Sequence, residues 1–172
     1  MGIETIQFKD KSYPAFQANG NSPRFVKGFV DEVCKANYEE GEFGYNIGCG
    51  PKEWNYPIEA IPIDLIYDDE YDAYNLPKSG ASYICAHHLV EHLPDYVKAL
   101  KYWYENLKQG GTIFLYLPHP DQERWLPQYN PKHFHIFYPK DIAKCLEDIG
   151  FKNVFYSERD LYWGFTVIGE KP

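Results

Sequence analysis

The stretch Phe43–Gly50, which reads FGYNIGCG, decides the fold of this 172-residue chain. Phe43–Ile47 is a short apolar run that predicts a buried strand, and the chain then continues directly into Gly48-Cys49-Gly50. Glycines placed after a first strand let a ligand approach the backbone closely, although a Gly-x-Gly pair is also common in plain turns. The rest of the chain must therefore show whether a sheet and a ligand site surround this loop.

Strand and helix patterns alternate after this loop. Strands are predicted at Ala60–Leu65, Ser82–Ala86, Thr112–Leu117, Lys152–Ser157 and Gly164–Gly169, and helices at Asp95–Leu107 and from Pro139 to a stop at Gly150. Gly110-Gly111 is expected to end the first of these helices. Because such alternation is typical of a parallel sheet with helices on its faces, we predict an α/β fold with a mostly parallel sheet and a C-terminal antiparallel strand pair.

The chain is predicted to form a single domain, with an N-terminal segment and helix at 1–41 as a lid candidate and a core at 42–172. The helix is expected to begin at Ser22-Pro23 and to place one apolar face inward, formed by Phe25, Val26, Phe29, Val30 and Val33. Ligands of parallel sheets bind beyond the carboxyl ends of the central strands. One pocket is therefore expected among the loops after Ile47, Leu65, Ala86 and Leu117.

Composition restricts the partners. The net charge is -8, and the lysines form no basic stripe, which disfavours a nucleic-acid substrate because phosphate contacts require a basic face. No apolar run resembles a signal peptide or a membrane span. The four cysteines lack paired spacing and are interpreted as reduced core residues, which favours a cytoplasmic location: Cys34, Cys49, Cys85 and Cys145.

Asp64 ends the second predicted strand of the core, where its carboxylate could accept two hydrogen bonds from the vicinal hydroxyls of a ribose. The alternative interpretation is that Asp64 caps a helix or is simply a solvated acid. A nicotinamide cofactor needs a third glycine three places after Gly50, where a helix N-terminus meets pyrophosphate, and that position is Glu53. S-adenosylmethionine carries no phosphate, so Glu53 favours it over NAD.

Four stretches carry a resemblance to a known family, and they are Tyr45–Gly50, Pro62–Asp64, His88–Leu93, and Leu107–Gly111 leading into Leu115–Pro118. From Tyr45 to Gly169 the chain resembles the class I S-adenosylmethionine-dependent methyltransferases of the type 11 group, with their Rossmann-like fold. It is most similar to a short subgroup also seen in bacteriophage genomes, which Tyr13–Gln17 and Lys132–Phe137 resemble as well.

The resemblance implies a cofactor site. Asp64 would hold the ribose, and Gly48, Cys49 and Gly50 would line the methionyl group. The residues implied at the cofactor are Ile47, Gly48, Cys49, Gly50, Ile63, Asp64, Leu65, Asp72, Ala73, Tyr74, Ala86 and His87. The chain departs from the family at Asn46, where an acid is usual, and at Lys52, where a third glycine is frequent.

The spacing between the motifs is short. The intervals from Gly50 to Asp64 and from Asp64 to Asp72 leave little room for a full crossover and a third strand. We therefore predict a trimmed sheet, in which the first crossover holds at most a short helix.

Residues on the acceptor side are less defined, because methyl transfer depends mainly on alignment and needs a base only if the acceptor must lose a proton. His119 after the strand at Leu117 is the preferred candidate, and His88 is the second. Glu91 is expected to bond to backbone. Substrate contacts are predicted from Tyr13, Trp125, His133 and His135.

His133 and His135 alternate as on a strand and could face one side, but two histidines make an incomplete metal site, so no metal is predicted. The leading function is methyl transfer to a small-molecule or glycan-like acceptor. The second hypothesis is a non-catalytic cofactor-binding module of a larger complex, because the first loop is altered and no base is evident. A metal-dependent hydrolase is the third, with ligands among His87, His88, His92, His133 and His135.

Overall fold

The computed structural model describes residues 1–15, 27–51, 59–67 and 70–172. The strands are β1 (Thr5–Phe8), β2 (Lys11–Pro14), β3 (Gly44–Ile47), β4 (Ile61–Ile63), β5 (Ala81–His87), β6 (Leu107–Pro118), β7 (Lys152–Tyr156) and β8 (Gly164–Glu170). The helices are α1 (Lys27–Cys34), α2 (Tyr96–Asn106) and α3 (Pro139–Ile149), and short 3-10 turns occur at Val90–His92 and Glu123–Trp125.

Six strands form one sheet in the order β4-β3-β5-β6-β8-β7. The four neighbouring strands β4, β3, β5 and β6 are parallel to one another, whereas β8 is antiparallel to both β6 and β7. The predicted α/β fold, with a C-terminal antiparallel pair, is confirmed. The sheet is also trimmed as predicted, since the described residues between β4 and β5 form turns and bends and add no strand to it.

Helices cover both faces of the sheet, because alternate residues of each buried strand point to opposite sides. On one face, α2 and α3 pack on the side chains of Tyr45, Ile84, Leu115 and Val167. On the other, α1 and the β1–β2 hairpin pack on Tyr83, Cys85, Phe114 and Ile168. The fully buried Trp103 of α2 anchors the first of these two layers.

Gly110-Gly111 does not end a helix, which corrects the prediction. Helix α2 stops earlier, where Leu107 turns extended (φ -74°, ψ 144°), and β6 begins at that residue. The glycines instead lie in an irregular stretch of β6, where the pairing with β5 jumps from Ala81–Leu107 to Tyr83–Thr112. Gly110 has a φ of 73°, which glycine tolerates well.

The N-terminal segment packs against the back of the sheet. Phe29, Val30 and Val33 of α1 are buried as predicted, whereas the predicted helix start at Ser22-Pro23, with Phe25 and Val26, lies outside the described residues. The ring of Tyr13 stacks on Phe29 with centroids 4.4 Å apart. A lid role for residues 1–41 therefore stays a prediction.

All four cysteines lie in the described residues as thiols, and three of them are buried. In the part of the chain that the structure describes, no helix is long and apolar enough to cross a bilayer.

We predict that Glu42→Gln destabilises the protein at neutral pH and that this effect fades in acid. Glu42 precedes β3 and accepts hydrogen bonds from Lys108 Nζ (2.5 and 2.6 Å), the Glu39 amide (2.8 Å) and Ser82 Oγ (2.7 Å). The Lys108 ammonium, helped by the other donors, lowers the pKa of Glu42 from 4.5 to about 2. Stability from a lowered pKa is complete above the unfolded value and is lost as the pH falls towards 2.

Urea unfolding between pH 7 and pH 2 measures this effect. The wild type and Glu42→Gln should differ most above pH 4.5 and converge below it. Glu40→Gln, at an exposed position of the same loop, is the control and should behave like wild type throughout. A gap between wild type and Glu42→Gln that stays constant with pH would contradict the prediction.

Candidate functional site

A pocket of about 250 Å³ lies beyond the carboxyl ends of β3 and β4. The chain leaves β3 for β4 on one side and later returns to β5 on the other, so this is the topological switch point where α/β sheets bind ligands. The residues lining the pocket are Ile47, Gly48, Ile63, Asp64, Leu65, Asp72, Ala73, Tyr74, Leu89 and Leu93.

Gly48, the first glycine of the loop after β3, lines this pocket. Gly48 has a φ of 68°, and its amide donates a hydrogen bond to the Ile63 carbonyl at 2.7 Å, which ties the end of β3 to the end of β4. A Cβ atom on Gly48 would come within 2.9 Å of the Leu89 side chain. The positive φ favours glycine at this position, and any larger residue would also require the Leu89 side chain to shift.

The carboxylate of Asp64 joins the two loops. Its Oδ2 accepts a hydrogen bond from the Gly50 amide at 2.8 Å, and its Oδ1 accepts one from the Ile66 amide at 3.1 Å. Tyr67 Oη also donates to the Gly50 carbonyl at 2.7 Å. Each carboxylate oxygen has two lone pairs, so Asp64 can still accept two hydrogen bonds from a ligand.

Helix α2 holds the wall of the pocket at Asp72–Tyr74. The buried indole of Trp103 donates from Nε1 to the Ala73 carbonyl at 2.8 Å, and Tyr102 Oη accepts from the Leu76 amide at 2.9 Å. The carboxylate of Asp72 accepts from the Tyr74 amide at 2.7 Å, which closes the turn. This wall is therefore rigidly positioned relative to the sheet.

Most residues predicted at the cofactor meet around this pocket, but four lie outside its lining: Cys49, Gly50, Ala86 and His87. Ala86 faces the core on β5. The buried ring of His87 lies 5.7 Å from that of Phe114 on the opposite face, and burial lowers its pKa well below the usual value. Burial also raises the pKa of the Cys49 thiol to about 11, so it is protonated at neutral pH.

Sequence reasoning missed two lining residues, Leu89 and Leu93. Both belong to the motif His88–Leu93, in which only the histidines and the acid were predicted to have a role. Their apolar side chains flank the 3-10 turn Val90–His92, so the spacing of leucines within the motif was the available signal.

His88 has a strained backbone conformation, and its ring lies near those of Tyr116 and Trp125. Its φ is 50°, and its amide donates to the Tyr116 carbonyl at 2.9 Å. Its ring lies 5.8 Å from that of Trp125, whose buried Nε1–H has no acceptor among the described residues. Left-handed conformations of residues other than glycine cluster at functional sites, which supports a role for His88.

His133 and His135 face inward, but they do not share a site. The Nδ1 of His133 donates to the Trp125 carbonyl at 2.7 Å, while the Nε2 of His135 bonds to the Leu93 carbonyl at 2.9 Å. The expectation for Glu91 was wrong, since its buried carboxylate makes no hydrogen bond to backbone within the described residues. It lies instead 3.3 Å from the Nδ1 of His88.

His119 lies away from the pocket, which corrects its predicted place at the pocket mouth. Its amide donates to the Trp163 carbonyl at 2.6 Å, so the chain after β6 continues along β8. The imidazole lines a separate cavity of about 600 Å³ with Asp121 and Arg159, and burial lowers its pKa. Tyr13 is also absent from the pocket lining, because its ring stacks on α1.

Comparisons with known proteins identify the family of this chain. The sequence profile of a family described as methyltransferase domain matches residues 21–156, which is more than three quarters of the chain. No curated protein sequence is significantly similar to the chain.

Solved structures share the fold. A chain of a Haloferax volcanii complex that contains a methyltransferase activator aligns with a TM-score of 0.65 and 13% identity, over 85% of this chain and 92% of that one. A SAM-dependent methyltransferase from Archaeoglobus fulgidus aligns with a TM-score of 0.62 and 19% identity, over 86% of this chain and 95% of that one. Phosphoethanolamine N-methyltransferase 2 of Haemonchus contortus, bound to S-adenosyl-L-methionine, aligns with a TM-score of 0.61 and 11% identity. The alignment covers 84% of this chain and 52% of that one.

The chain therefore belongs to the methyltransferase-domain family. Its sheet is that of the class I enzymes, which use S-adenosylmethionine, so the predicted class is confirmed. The phage-type subgroup stays a prediction.

We predict that Gly48→Ala costs more unfolding free energy than Gly80→Ala. Both glycines have a positive φ, 68° and 89°, so alanine adds about 1–2 kcal/mol of backbone strain at either position. Only Gly48 would also press a methyl group against Leu89, which adds roughly 1–3 kcal/mol of overpacking, whereas Gly80 faces open space. Urea unfolding measures both variants, and equal losses would contradict the close contact with Leu89.

Proposed function

We propose that this chain transfers the methyl group of S-adenosylmethionine to a small-molecule or glycan-like acceptor. The observation that carries the proposal is the pocket beyond β3 and β4, where the backbone of Gly48 and the carboxylate of Asp64 face one space. A carboxylate and close-approach glycines at two adjacent strand ends suit the ribose and the amino-acid tail of this cofactor.

The proposed cofactor pose follows from the lining. The ribose hydroxyls would bond to Asp64, and the methionyl group would lie along the backbone of Gly48–Gly50. Ile63 and Leu65 supply apolar contacts for the adenine, whose edge would meet Asp72–Tyr74. Leu89, which lies next to Gly48, would contact the cofactor beside the glycine loop.

Methyl transfer from a sulfonium is an in-line displacement, so the protein contributes mainly by aligning donor and acceptor. The acceptor atom forms a bond to the methyl carbon as the carbon–sulfur bond breaks and S-adenosylhomocysteine leaves. The rings of His88 and Trp125 lie 5.8 Å apart, and His88 directly precedes the pocket residue Leu89, so we place the acceptor beside these two rings. His119 has no part in this proposal, because it lines the separate cavity.

The net charge of the chain and its structural similarity to a known enzyme favour a small acceptor. The net charge of -8 disfavours nucleic acid, whose phosphates need a basic face. The similar enzyme from Haemonchus contortus is a phosphoethanolamine N-methyltransferase, and its complex with phosphomonomethylethanolamine shows that the fold can hold a small polar acceptor. A cytoplasmic location agrees with the four thiols and stays a prediction.

The alternative of a cofactor-binding module in a larger complex rests on Asn46, which stands where the family usually has an acid. Its buried amide atoms have no hydrogen-bond partner among the described residues, so the first loop lacks the usual anchor. One structural neighbour comes from a complex with a methyltransferase activator, which is a precedent for such an assembly.

We predict that Asp64→Asn weakens binding of S-adenosylmethionine by about tenfold or more, since hydrogen bonds to a charged group contribute about 1.5–3 kcal/mol. Isothermal titration calorimetry measures the dissociation constant. Asp148→Asn is the matched control, because this exposed carboxylate on α3 pairs with the Lys144 ammonium on the surface. No heat from the wild type, or equal affinity in Asp64→Asn, would refute the proposed pose.

Turnover separates the enzyme from the binding module. We expect the wild type to release more S-adenosylhomocysteine than there is protein when it is supplied with small hydroxyl, amine and glycan acceptors. Duplex DNA and RNA should give no product above background. A coupled assay for S-adenosylhomocysteine measures this, and product limited to one equivalent with every acceptor would favour the module.

A further inference from the structure

A buried carboxylate beside the pocket lacks the hydrogen bonds that such a group requires. The side chain of Glu91 is 0% exposed, and neither oxygen receives a hydrogen bond from the described residues. A carboxylate removed from water is costly unless a cation or several donors face it. Two imidazole nitrogens face it, His88 Nδ1 at 3.3 Å and His92 Nε2 at 3.8 Å, both measured to Glu91 Oε1.

Two imidazoles are oriented towards this carboxylate by backbone carbonyls. His92 Nδ1 lies 2.8 Å from the Lys132 carbonyl, and His133 Nδ1 lies 2.7 Å from the Trp125 carbonyl. A carbonyl can only accept, so Nδ1 carries the proton in both rings and each Nε2 presents a lone pair when the ring is neutral. This is the arrangement in which proteins hold metal-binding histidines.

The donor atoms converge. One ligand atom from each of Glu91, His92 and His133 lies within 4.8 Å of the other two, and the rings of His92 and His133 have centroids 4.6 Å apart at 80°. Bonds of about 2.0–2.2 Å to a shared ion would place these atoms about 3–3.5 Å apart. Small side-chain rotations would bring the donor atoms from their present spacing to the spacing that a shared ion requires.

We propose that Glu91, His92 and His133 bind one divalent transition-metal ion. Two histidines and one carboxylate are the ligands of catalytic zinc and of non-haem iron sites, in which further positions stay open. Magnesium is disfavoured because it prefers oxygen ligands, and two of the three donors here are nitrogen. Sequence reasoning had paired His133 with His135, whereas the fold brings His133 to Glu91 and His92.

The position of the ion suggests its use, and this step rests on the proposed function. Leu89 and Leu93, on either side of Glu91 and His92, line the cofactor pocket, so the ion would lie beside the methyl donor. An open coordination position suits an acceptor hydroxyl, whose pKa a bound metal lowers. The hydroxyl loses its proton to solvent, its oxygen bonds to the methyl carbon, and S-adenosylhomocysteine leaves.

Zinc binding is measured first, without reference to activity. Chelator-treated wild type, titrated with ZnCl₂ in a calorimeter, should bind one ion, and His133→Gln should bind it at least tenfold more weakly. His135→Gln is the matched control, since this neighbouring imidazole bonds to the Leu93 carbonyl outside the cluster, and it should bind zinc like wild type. Absence of stoichiometric zinc in the wild type, or equal loss in His135→Gln, would overturn the proposal.

A spectroscopic readout covers variants that fail to fold. Cobalt(II) added to the wild type should give visible absorption bands of a four- or five-coordinate site that zinc displaces, whereas an octahedral aqua-ion spectrum would count against the site. Titration of metal-free protein with S-adenosylmethionine then separates the two proposals. Zinc binding without cofactor binding would support the metal site and reject the proposed function. Cofactor binding without zinc binding would reject only the metal site.

Discussion

The hydrogen bond from the Gly50 amide to the Asp64 carboxylate, 2.8 Å long, joins the ends of two parallel strands and defines the site. A second bond, from Gly48 to Ile63, ties the same strands one step deeper in the sheet. Parallel strands end at the same edge, so a glycine loop and an acid that are 14 residues apart form one wall. The pocket, and with it the proposed cofactor pose, depends on this pairing.

The segment His88–Leu93 gives the site its second wall. A left-handed residue, His88, is followed by a 3-10 turn, and Leu89 and Leu93 line the pocket, while Glu91 and His92 belong to the cluster with His133. One short segment thereby contributes both to the lining of the pocket and to a cluster of side chains of the types that bind metal ions. The strain at His88 is consistent with a segment selected for the positions of its side chains rather than for stability.

Local patterns explain which predictions succeeded. The apolar runs of the sheet and the periodic faces of α2 and α3 were readable because burial of one face imposes a period on the sequence. Gly110-Gly111 was misread as a helix stop, because glycine suits a helix end and a strand irregularity equally well, and only the pairing of β6 with β5 distinguishes them. His119 and Tyr13 were misplaced, because the direction of a loop after a strand leaves no period in the sequence.

By itself, the sequence determined the order of strands and helices, the trimmed sheet, and the glycine and aspartate at adjacent strand ends. These features follow from periodicity and from the rule that parallel strands share an edge. Only the tertiary structure decided that Glu91 and His92 meet His133, which lies on a distant loop, and that His135 does not join them. The reason is physical: contacts between distant segments depend on how loops pack and which carbonyls orient each ring, and no local pattern encodes either.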